Sequence, residues 1–176
     1  MKAQQVSIGI ITRMIAWGGA SGAVLGALFP LLAVILIQLL KVLFGGDASS
    51  ANVSMLSTWV GVGCMVGLAI GGIAGLLLGL LTGVVLAALT YKVFNPTPDL
   101  RRYSNAVQIT CIVVGGPAAL LLVLAGGLPQ YGANGWGAEW SWFVWGVTPT
   151  VIATIATWWA GRHVAAWVGA TASKTG

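Results

Sequence analysis

An all-α membrane protein is the fold class this sequence predicts: a bundle of four transmembrane helices with glycine-zipper packing and both termini cytoplasmic. Three observations predict it. Four apolar segments each satisfy the need for about 20 residues per bilayer crossing, glycine recurs at every fourth position of the second segment, and almost all basic residues fall on one side of the resulting topology. With 58% hydrophobic and 6% charged residues among 176, an ordinary soluble domain is excluded.

The first span is read at residues 15–40, behind a cytoplasmic N-terminus at 1–14. Its apolar run is far longer than the roughly 7 to 15 residues of a signal-peptide core, and no small-x-small cleavage site follows, so it reads as a retained span. Gly18, Gly22 and Gly26 lie four apart on one face of it. Such a strip lets a second backbone approach closely.

The second span, 58–89, carries Gly63, Gly67, Gly71, Gly75, Gly79 and Gly83. In water each glycine would weaken the helix; in lipid the hydrogen-bonded backbone is enforced and close packing becomes the main attraction between helices. At 1.5 Å per residue this span is about 48 Å long against a hydrocarbon thickness of about 30 Å. It must tilt, protrude or be covered by another protein. Antiparallel pairing with the first span sets Gly18, Gly22 and Gly26 beside Gly83, Gly79 and Gly75, which leaves Gly63, Gly67 and Gly71 as a vacant face.

The third span, 105–125, contains Gly115-Gly116-Pro117, a hinge candidate because proline removes a helical hydrogen bond. The fourth, 142–160 with an extension to about 168, carries the small strip Ala153, Thr157 and Gly161. A single transmembrane domain thus covers 15–171, with a tail at 172–176. Short loops make sequential helices antiparallel neighbours. Lys2, Arg13, Lys92, Arg101, Arg102, Arg162 and Lys174 then share the inner side, with Lys41 alone opposite. The location implied is an integral protein of a bacterial cytoplasmic (inner) membrane, N-in and C-in.

Chemistry is sparse. The acidic residues Asp47, Asp99 and Glu139 all fall in loops, so no span holds a carboxylate for a coupling ion. No catalytic set and no metal-ligand spacing is visible, and the chain reads as a non-enzyme; Cys64 and Cys111 lie at different depths and read as small packing residues. His163, the single histidine, and the outer tryptophans Trp136, Trp140, Trp142 and Trp145 are candidates for contact with a partner, a lipid or a pigment. No cofactor is required; a lipid, quinone, carotenoid or chlorin is the kind of molecule these residues would hold. The net charge of +5 is scattered rather than striped, so nucleic acid is not a partner.

The function expected is a non-catalytic accessory or assembly subunit of a larger membrane complex, bioenergetic in one version. Its partners would be membrane lipid and other membrane subunits, or further copies of itself. An oligomeric channel and a pigment- or quinone-binding antenna component are the alternatives. A channel would need a polar stripe along a pore, and the sequence offers none.

Overall fold

The computed structural model describes residues 3–43, 53–93, 100–126 and 142–172. They form α1 (Ala3–Leu43), α2 (Val53–Val93), α3 (Leu100–Ala125) and α4 (Thr148–Ala172), the last entered through a π-helical segment, Trp142–Val147. Four helices are long and apolar enough to cross a membrane, and no strand occurs among the described residues.

The helices outrun the apolar runs at both ends. Residues 1–14 were expected outside the bundle, yet α1 begins at Ala3, and Ile10 and Met14 are fully buried. The reason is spacing: Val6, Ile10 and Met14 stand four apart and share one face, while Gln5, Ser7, Thr12 and Arg13 interrupt the apolar run from other faces. At the far end α4 continues to Ala172, with Val168 in the core.

The bundle is built from two tight pairs. α1 has its largest interface with α2 and α3 with α4; lesser contacts of α1 with α4 and of α2 with α3 close the ring. Where all four converge, Ile10 and Met14, Leu86, Tyr103, Val107 and Cys111, and Ala160, Val164 and Val168 make one apolar cluster. A second cluster joins Ala33 and Ile37 of α1 to Val144 of the π-helical segment.

The α1–α2 seam is backbone against backbone. A Cβ placed on Gly22 would strike the Gly71 carbonyl oxygen and lie 2.9 Å from Gly75 Cα; one on Gly26 would strike the Gly67 carbonyl oxygen; one on Gly18 would strike that of Gly75. Gly79 faces the Met14 carbonyl, a Cβ on Gly83 would lie 3.2 Å from Ile11 Cα, and one on Gly63 would lie 3.0 Å from the Pro30 ring. The expected register is thereby corrected. Gly67 and Gly71, read as vacant, are occupied by Gly26 and Gly22, because α1 centres its three glycines on the middle of the longer strip.

The α3–α4 seam uses the strip on α4. Gly161 packs against Cys111, whose sulfur would stand 2.5 Å from an added Cβ, and a Cβ on Gly115 would lie 2.9 Å from Thr157 Cγ2. Gly116 lies near Thr154, and α3 runs as one helix through Gly115, Gly116 and Pro117. Both cysteines are free. Gly161→Ala is expected to destabilise the chain by about 1–3 kcal/mol through overpacking. Cys111→Ala in the same chain should recover much of that loss, and a double-mutant cycle in denaturant unfolding measures the coupling.

Pro149 explains the π-helical entry to α4. It brings no N–H for the carbonyls of the preceding turn, and its ring crowds them. The helix widens ahead of it, and Thr148 Oγ1 donates five residues back to the Phe143 carbonyl at 2.9 Å.

Candidate functional site

The α1–α4 contact is where the chain gathers its polar and aromatic side chains. On α1, Gly9, Arg13, Trp17, Ser21 and Val24 follow one another at near four-residue spacing; on α4, Ile152, Ile155, Trp159, His163 and Trp167 do the same. Antiparallel packing interleaves the two ladders.

Trp17 sits between Trp159 and His163. Its indole stacks on the imidazole at 5.1 Å with an interplanar angle of 13°, and it meets Trp159 edge-on at 4.9 Å. His163 also meets Trp159 edge-on at 4.4 Å and is exposed at the surface. One turn further, the Arg13 guanidinium lies 3.8 Å from the Trp167 ring centre, and Trp167 packs onto Gly9. Arg162 lies over Trp158 at 5.2 Å. Each of these basic side chains thus rests on an indole face, which suits a guanidinium better than an ammonium.

Beyond Trp17 and Trp159 the two helices part around Ala20, Ser21 and Val24 on one side and Ile152, Ile155 and Ala156 on the other, leaving an open groove of about 520 Å³. No polar surface faces it. Ser21 Oγ donates to the Trp17 carbonyl at 2.7 Å, and Trp158 Nε1 donates to Gln108 Oε1 at 3.4 Å. Further along α1, Phe29 meets Trp145 of the π-helical segment at 5.4 Å, edge to face.

The sequence-level candidates divide. His163 belongs to this cluster. Trp145 turns onto α1, its Nε1 buried without a hydrogen-bond partner among the described residues, whereas Trp142 is 65% exposed. Trp136 and Trp140 lie outside the described residues, as do Asp47, Asp99 and Glu139. Ala153, Thr157 and Gly161 lie along α4, where Thr157 and Gly161 serve the α3 seam. Missed from sequence were Arg13 and Trp17. Their four-residue spacing, matched by Trp159, His163 and Trp167, was the signal available.

The hydroxyls inside the bundle bond to their own helices. Thr82 donates to the Leu78 carbonyl at 2.6 Å, Thr157 to Ala153 at 2.7 Å and Thr154 to Thr150 at 2.8 Å. Among the described residues no three of His, Cys, Asp or Glu stand together as a metal site. What the arrangement can do is hold an apolar chain beside a basic rim. No protein-family model matches this sequence, and neither a curated protein nor a solved structure matches it.

Proposed function

We propose that the chain is a non-catalytic accessory or assembly subunit of a larger membrane complex, its α1–α2 hairpin closed by a glycine zipper and its termini turned to the cytoplasm. The observation that carries this reading is the length of that hairpin. Its candidate membrane spans, 36 residues in α1 with Arg13 inside it and 33 residues in α2 ending at Lys92, are about 54 and 50 Å long, against about 30 Å of hydrocarbon. Even at a tilt of about 40° the α2 span still covers about 38 Å along the bilayer normal. Tilt alone does not absorb it.

The excess falls beyond α3. Tyr103 and Thr90 share a hydrogen bond at 3.1 Å that levels α3 with α2, so the end of α3, 22 residues on from Tyr103, stands near Leu68 of α2. Past that level Met65 is 80% exposed and Leu43 67%. Among the described residues, apolar helix projecting past α3 is surface for another protein. Arg13, Lys92, Arg101, Arg102 and Arg162 gather toward the opposite end of the bundle, which supports the N-in, C-in orientation. The Trp-rich loop, a second proposed contact, lies outside the described residues. A channel is disfavoured because the intramembrane hydroxyls are turned to their own helices.

Purification from native membranes in mild detergent, followed by native mass spectrometry, tests this. The chain should travel in a defined stoichiometry with other membrane subunits, and Met65→Glu should release it from them while the isolated chain stays folded. A homo-oligomer without partners that passes ions in liposomes would overturn the reading.

A further inference from the structure

We propose that the groove between α1 and α4 binds one acyl chain of an anionic phospholipid, whose phosphate rests on the rim made by Arg13, Arg162 and His163. The two halves of the site match the two halves of such a lipid. The groove is bounded at one end by Trp17 and Trp159. Its single hydroxyl, on Ser21, is bonded within its own helix. An alkyl chain needs no polar partner there, whereas the groove turns no polar surface toward a quinone carbonyl. The volume of about 520 Å³ lies in the roughly 300–1,000 Å³ range of small-ligand sites.

The rim supplies the charge. Arg162 and His163 each rest on a residue that lines the groove, and Arg13 stands one turn before Trp17, stacked on Trp167. The described residues include no Asp or Glu, so no carboxylate among them competes for these groups. Arg13 donates from one nitrogen to the Gly9 carbonyl at 3.4 Å, and stacking on indole holds its remaining N–H groups and the Arg162 guanidinium in place, which lowers the ordering cost of receiving a phosphate. Basic pockets between membrane helices at one interface are sites where anionic headgroups bind. This site needs no protein partner, so it stands or falls separately from the subunit reading.

The test is native mass spectrometry of the full chain in neutral detergent, titrated with dioleoyl phosphatidylglycerol or dioleoyl phosphatidylcholine. The first phosphatidylglycerol should bind about thirtyfold more tightly, as expected from two guanidinium groups near an anionic headgroup. Combined Arg13→Gln, Arg162→Gln and His163→Gln should abolish the preference. Ile155→Trp should fill the groove and weaken binding with the rim intact, which keeps the proposal testable if the rim variant misfolds. Lys92→Gln, away from the groove, should change nothing. Equal affinity for the two lipids, a preference that survives the rim variant, or an equal loss in Lys92→Gln would overturn the proposal. So would full displacement by glycerol phosphate, which marks a free-anion site, or a quinone or pigment released from the groove by Ile155→Trp.

Discussion

A leucine at Gly71 is expected to drive α1 and α2 apart and cost the fold more than about 3 kcal/mol, while alanine at Gly61 or Gly72 leaves it intact. The difference lies in what the added atoms meet. At Gly71 a Cβ falls on the Gly22 carbonyl oxygen and within 2.8 Å of Gly26 Cα, and backbone has no rotamer to escape into. Gly67 and Gly79 face the Gly26 and Met14 carbonyls in the same way, so Gly67→Leu and Gly79→Leu should behave alike. At Gly61 nothing lies within 4 Å, and at Gly72 the nearest atom is Ala23 Cβ at 3.6 Å. There alanine adds helix propensity of up to about 1 kcal/mol without a clash. Thermal unfolding in detergent, followed by helicity, reads the contrast. Equal tolerance of Gly71→Leu and Cys64→Ala would remove the close-packing argument.

Tyr103→Ala should be nearly as damaging, at about 3–5 kcal/mol for loss of a large buried ring. Tyr103 is fully buried, and it stands in the cluster where all four helices meet. Its hydroxyl lies 3.1 Å from Thr90 Oγ1, which itself donates to the Leu86 carbonyl at 2.7 Å. Tyr103→Phe is therefore expected to cost only about 1 kcal/mol, since Thr90 keeps an acceptor for its proton. The ratio of the two losses in the same unfolding assay separates ring packing from the hydrogen bond. A phenylalanine as harmful as alanine would mean that the hydroxyl, not the ring, holds α2 to α3.

Helix number and sequence-neighbour pairing were legible because apolar length and glycine spacing report directly on them. The ends of the helices were not. Counting apolar runs hid Ile10 and Met14, whose burial depends on a face rather than a run. Cys111 could be read as a small packing residue, but not as the side chain that fills the notch at Gly161, since that needs the register of α3 against α4. The π-helical entry to α4 was invisible for a related reason: Pro149 announces a disturbance, and only the surrounding packing decides between a kink and a widened turn. The groove depended on an α1–α4 contact that crosses the whole chain, and no local pattern joins Trp17 to His163.

The glycine strip has one further consequence, for how the hairpin knows its own alignment. A motif that repeats every four residues matches itself again after each slip of one turn, about 6 Å along the axis. The strip alone is a ruler without a zero mark. What breaks the degeneracy is the three larger residues at its ends, Pro30 seated on Gly63 and Met14 with Ile11 seated on Gly83. These act as end stops, so the alignment of α1 on α2 is written in the few positions where the repeat fails.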